Sequence, residues 1–87
     1  MINEQINLAL TELLKINFGL ADLSNLLLFK NNSNDRVYRY EYSFSDGVSN
    51  KKLRNFVSSA ISDQAMRNNC VVFHQDNSIR IEKRIES

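Results

Sequence analysis

The sequence predicts an α+β fold. The expected form is a two-layer sandwich in the order α-β-β-α-β-β, with a four-stranded, mainly antiparallel sheet and two helices on one face. Three observations carry that expectation. Tyr38, Tyr40, Tyr42 and Phe44 recur at every second position, the spacing of a strand with one buried face. Leu53, Phe56, Val57, Ala60, Ile61 and Ala65 recur at three- and four-residue spacing, the stripe of an amphipathic helix. Ile79, Ile81 and Ile85 then share one parity while Arg80, Glu82 and Arg84 share the other, marking a two-faced strand after that helix.

Taken in order, Asn3 is placed to cap a first helix, and Glu4 falls in the first turn, where the helix dipole favours an anion. Ile6, Ala9, Leu10, Leu13 and Leu14 form its apolar stripe. A longer series, Ile2, Ile6, Ala9, Leu13, Ile16, Leu20, Leu23 and Leu27, keeps a four-three spacing that also suits one long helix or a short coiled-coil seam. Asn17-Phe18-Gly19 argues for a stop instead, because glycine ends helices readily and costs about 1 kcal/mol inside one. The expectation is a helix from Asn3 to about Asn17, then a short helical turn through Leu23.

Leu26, Leu27, Leu28 and Phe29 form a continuous apolar run, and periodicity alone does not separate a buried strand from a helix end. Its place before the polar loop 31–35 favours a strand over 25–30. The run carries more apolar surface than one sheet face buries, so it reads either as a central strand or as part of a homodimer contact. Arg36–Phe44 is the aromatic strand, closed by Asp46-Gly47. Ser49 or Asn50 caps the second helix, and Asn68-Asn69 ends it, since asparagine tolerates the left-handed backbone that often closes helices.

The terminal hairpin joins Cys70–His74 to Ser78–Ile85. Matching faces selects a three-residue loop, Gln75–Asn77, which pairs Phe73 with Ile79 and Val71 with Ile81. A two-residue turn at Asp76–Asn77 would set Phe73 against Arg80 and His74 against Ile79, mixing apolar with charged. The favoured register gives an apolar inner face of Tyr38, Tyr40, Tyr42, Phe44, Val71, Phe73, Ile79, Ile81 and Ile85. Arg39, Glu41, Cys70, His74, Arg80, Glu82 and Arg84 then form the outer face. The element order matches a circular permutation of the ferredoxin-like arrangement, a likeness of architecture that carries no function.

With 87 residues, 43% of them hydrophobic and 24% charged, residues 1–87 form a single ordinary globular domain. One cysteine and one histidine supply neither an internal disulfide nor a four-ligand zinc site, so no metal and no cofactor is expected. No basic segment and cleavage site mark a secretion signal, and Asp22, Ser24 and Asn25 interrupt the only apolar-rich stretch. A cytoplasmic protein without a membrane partner is expected. The net charge of +1 gives no whole-molecule field for nucleic acid, although residues 49–87 carry seven basic against four acidic side chains.

Two groups of charge stand out. Lys51, Lys52 and Arg54 begin the second helix, where cations oppose the dipole by a few tenths of a kcal/mol each, roughly. A basic helix start suits an anion or an acidic partner. Arg39, His74, Arg80 and Arg84 are the second group, on the outer sheet face, where arginines suit carboxylate or phosphate recognition. His74, Cys70 and Asp76 are the one grouping of catalytic residue types. Residues 70 and 74 on one strand are about 13 Å apart, too far for a nucleophile and its base. There is also no glycine-rich phosphate loop. The expectation is therefore no enzyme and no catalytic residue.

What remains is a small protein-binding module, an inhibitor, antitoxin-like regulator or adaptor. A short, proline-free chain with twelve asparagines resembles products of phage or mobile DNA, anti-CRISPR proteins among them. The alternative is a nucleic-acid-binding regulator using Lys51, Lys52, Arg54, Arg80 and Arg84, against which the low net charge and the lack of a recognition-helix motif weigh.

Overall fold

The computed structural model describes residues 2–86. Its elements are helix α1 (Ile2–Phe18), a single 3₁₀ turn (Leu23–Asn25), strands β1 (Leu27–Asn31) and β2 (Val37–Phe44), helix α2 (Lys51–Arg67), and strands β3 (Val71–His74) and β4 (Ser78–Arg84). The strands form one antiparallel sheet in the order β1-β2-β4-β3. The α-β-β-α-β-β order and the α+β class are those the sequence predicts. β2 and β3 both run antiparallel to β4, so α2 is a crossover between two parallel strands with β4 inserted between them.

α1 buries Ile6, Leu10 and Leu14, a stripe at four-residue spacing. α1 ends at Phe18, so Leu20, Leu23 and Leu27 of the longer four-three series lie outside it, and Ile6 of that series is buried in the chain's own core; the long-helix reading falls there. Asn3 lies inside the first turn and does not precede it, so it is not the cap; its Oδ1 is buried with no hydrogen-bond partner among the described residues. The helix stops where glycine permits. Gly19 takes φ +66°, its N–H donates to the Lys15 carbonyl at 3.1 Å, and the Leu20 N–H donates to that of Leu14 at 3.3 Å. Asp22 then organises the 3₁₀ turn, accepting from the Ser24 N–H at 2.9 Å and the Ser24 hydroxyl at 2.6 Å.

α2 is capped by Asn50, whose Oδ1 accepts the Leu53 N–H at 3.1 Å and so satisfies one of the orphan donors of the first turn. At the other end Asn69 adopts φ 60°, and the Cys70 N–H returns to the Ala65 carbonyl at 2.9 Å. That reversal sends the chain straight into β3.

The core lies between the helices and one sheet face. Ile6, Leu10, Leu14, Val57, Ala60, Ile61 and Ala65 pack there with Tyr40, Tyr42, Phe44, Ile79 and Ile81. Each such large aliphatic side chain contributes about 1.5–3 kcal/mol through burial. Three tyrosines therefore face the helices, two of them fully buried and Tyr38 half-buried, as their alternation predicts.

Two further readings are overturned. The run Leu26–Phe29 does not form a central strand: β1 is an edge, with Leu27 buried but Leu28 60% and Phe29 39% exposed. The terminal hairpin turns at Asp76–Asn77, pairing His74 with Ile79, Phe73 with Arg80 and Val72 with Ile81. The expected three-residue loop Gln75–Asn77 is thus excluded, and every β3 side chain changes face. Cys70 and Val72 turn inward, while Val71 and Phe73 join the outer face. The cause lies in the neighbouring ladder. Asn77 belongs to the β2–β4 pairing: its carbonyl accepts the Phe44 N–H at 3.0 Å and its Nδ2 donates to the Phe44 carbonyl at 3.2 Å. With Asn77 held there, Gln75 closes directly on Ser78 at 2.9 Å.

Candidate partner-binding surface

The sheet face away from the helices is built from every second residue of four strands. β1 contributes Leu28 and Lys30, β2 Val37, Arg39, Glu41 and Ser43, β4 Ser78, Arg80, Glu82 and Arg84, and β3 Val71 and Phe73. The register lays them in rows across the sheet. Lys30, Glu41, Arg80 and Phe73 form one row, and Arg39, Glu82 and Val71 the next. Four basic side chains share this face with two acidic ones, a local positive excess on a chain of net charge +1.

Glu82 holds the middle of the face. Its Oε2 accepts from Arg39 Nε at 3.2 Å and lies 2.7 Å from Arg80 Nε, the latter a close ionic contact without hydrogen-bond alignment. Partly exposed pairs of this kind add little stability, roughly 0–1 kcal/mol. What they supply is position. The Arg80 guanidinium sits 4.5 Å from the centre of the Phe73 ring, a cation–π contact that holds the ring against the sheet. Phe73 is 38% exposed and Val71 60% exposed, so an apolar edge of β3 borders the arginines. Arg84, opposite Val37, is exposed at the end of β4.

The other predicted residues divide. Lys51 and Lys52 are exposed in the first turn of α2. Arg54, from the same turn, is engaged. Its Nη1 donates to the Val48 carbonyl at 2.8 Å, and its Nη2 donates to the Asp76 carbonyl at 3.2 Å and Asn77 Oδ1 at 2.9 Å. The guanidinium carbon also lies 4.4 Å from the centre of the Phe44 ring. Arg54 thus ties the start of α2 to the β3–β4 turn. The three cations do not form one cluster of free charges.

His74 and Cys70 are not on the outer face, a consequence of the reversed hairpin register. His74 is exposed opposite Ile79 near the turn. Cys70 is buried, donates a weak Sγ contact to the Asn68 carbonyl at 3.7 Å, and has its thiol pKa raised by burial. No cluster of three or more histidine, cysteine or acidic residues could hold a metal among the described residues. No described helix is long and apolar enough to cross a membrane.

The residues that sequence reasoning missed are Phe73, Val71 and Leu28. For β3 the signal was the turn length: the two-residue alternative places Phe73 beside Arg80. For Leu28 it was parity, since Leu27 and Phe29 align with Phe44 and Tyr42 on the inner face. No protein-family model, curated protein or solved structure matches the chain.

Proposed function

We propose that the chain is a non-enzymatic protein-binding module, an inhibitor or regulator, that engages its partner through the outer sheet face. The observation that supports this most is the Phe73–Arg80 pair, an aromatic ring held under a guanidinium on a face no helix covers. Arginine and aromatic residues are enriched at protein interfaces because they offer large contact area, and here the ring contact already restrains the Arg80 guanidinium. The excess of arginine and lysine fits a partner that presents carboxylates around an apolar patch. Exposed Val71 extends the apolar edge. An origin in phage or mobile DNA rests on composition alone, the short, proline-free, asparagine-rich chain.

The test is capture of a stoichiometric protein by the tagged full chain, repeated with Phe73→Ala and Arg80→Glu, and separately with Lys51→Glu plus Lys52→Glu. Loss of the same protein with the first two substitutions and retention with the lysine pair is expected. Capture indifferent to Phe73 and Arg80, or no stoichiometric protein at all, defeats the reading. Binding to mixed DNA or RNA that weakens steeply with salt would instead favour the nucleic-acid reading, because phosphate contacts release counterions.

A further inference from the structure

The β1 edge has a geometry that its own copy complements. In the β1–β2 ladder the Asn32 N–H donates to the Arg39 carbonyl and the Ser45 N–H to that of Leu26. Hydrogen-bonded pairs alternate along an antiparallel ladder, so residues 26, 28, 30 and 32 turn their backbone groups toward β2. Leu27, Phe29 and Asn31 therefore aim their N–H and C=O groups outward along the open edge. The strand spans these five residues, 27–31, and Phe29 is its centre.

Natural sheet edges are commonly protected by proline, a bulge, a very short strand or charges, lysine above all. β1 has no proline and a single charge, Lys30. Its two faces also leave Leu28 60% and Phe29 39% exposed. Beside it lies an open groove of about 330 Å³ lined by residues of β1 with Asn7, Leu23, Ser24 and Tyr42.

We propose that two copies pair antiparallel through β1 about a two-fold axis at Phe29, joining two four-stranded sheets into one of eight strands. In that register Leu27 meets Asn31 of the second copy and Phe29 meets its own counterpart, so all three outward residues on each strand exchange backbone hydrogen bonds. A two-fold axis at Leu28 would instead bring Leu27 against Phe29 and Asn31 against Asn25, which lies in the 3₁₀ turn and is not extended. An axis at Lys30 would oppose the two lysines. The Phe29 register sets Lys30 against Leu28 of the other copy, where its methylene stem covers the exposed leucine while the ammonium stays in water. The two phenylalanines meet on the inner side, next to the groove.

Leu28 decides the test, because its side chain is exposed and faces away from the core. Leu28→Lys places a lysine opposite Lys30 of the second copy, twice per interface by symmetry. Leu28→Glu removes the same apolar surface but places a carboxylate there. Like charges directly across a ladder repel and opposite charges attract, so the dimer dissociation constant should rise about tenfold or more for Leu28→Lys relative to Leu28→Glu. Sedimentation equilibrium on the full chain, with circular dichroism to show that each variant is folded, reads this directly. The wild type and Leu28→Glu are expected at twice the 10.1 kDa chain mass, with Leu28→Lys shifted to monomer. A wild-type chain still monomeric at about 100 μM overturns the proposal, since the dimer would then be weaker than about −5.5 kcal/mol. So does a wild-type dimer that both substitutions leave equally strong.

Discussion

Arg54→Ala separates a cation that the fold uses from two that it does not. The guanidinium donates three hydrogen bonds, to the carbonyls of Val48 and Asp76 and to Asn77 Oδ1, and stacks over Phe44. A hydrogen bond from a charged donor contributes about 1.5–3 kcal/mol when partly buried, which applies to the Val48 contact. The two exposed contacts add about 0.5 kcal/mol each, at the low end of the range for hydrogen bonds in water. The ring contact adds about 0.5–1 kcal/mol. Against these stands the rotamer freedom the freed chain regains, about 1.5–2 kcal/mol for arginine. The net cost of Arg54→Ala is about 2 kcal/mol, or roughly 8–16 °C in Tm for a domain of this size. Lys51→Ala and Lys52→Ala should stay within about 0.5 kcal/mol of wild type, with a slight gain from relief of the dipole. Arg54→Lys should lose much of the same energy, because one ammonium on a flexible stem does not span three acceptors. Urea denaturation of the four proteins beside wild type measures this. Arg54→Ala indistinguishable from Lys51→Ala would refute the reasoning, and Arg54 would then be a surface charge like its neighbours.

Three further outcomes are expected. Burial holds the hydroxyl pKa of Tyr42, and more modestly that of Tyr40, above the ordinary 10.0. A raised folded-state pKa keeps its stabilisation intact below pH 10.0 and loses it as pH rises toward the folded value. Stability should thus decline through the alkaline range, and the decline should be shallower in Tyr42→Phe. That variant also loses the 2.9 Å bond to Asn7 Oδ1, costing about 1 kcal/mol at neutral pH. An ultraviolet titration in which Tyr40 and Tyr42 ionise near the ordinary value would contradict this. Cys70, buried with a raised thiol pKa, should react with an aromatic disulfide reagent at least about tenfold more slowly when folded than in denaturant. Gly19→Ala should cost about 1 kcal/mol through backbone strain alone, since φ is +66° and no atom lies within 4 Å of the added Cβ; a thermal melt unchanged by the substitution would argue that the helix end relaxes.

Local signals determined much of this protein. The tyrosine alternation in β2, the apolar stripe of α2 and the isoleucine parity of β4 each state a period, and a period names both the element and its buried face. Asparagine and glycine at the helix ends did the same for boundaries, because left-handed backbone and side-chain capping are properties of single residues. Asn50, Gly19 and Asn69 all serve in those roles. The arginines of the outer face followed from parity alone.

Tertiary structure decided what local periods leave open. Face matching assumed that β3 buries its bulky residues, but β3 is a four-residue edge strand, and its register is set by Asn77 bonding across to Phe44. Phe73 reached the outer face for that reason, where Arg80 holds it. Strand order is likewise absent from a period, so the apolar run at Leu26–Phe29 gave no sign that it would lie at an edge. Lys51, Lys52 and Arg54 are equivalent charges in the sequence, and only the approach of the β3–β4 turn gives Arg54 its acceptors. Local periods fix the elements; which faces and edges stay open depends on contacts between residues more than twenty positions apart.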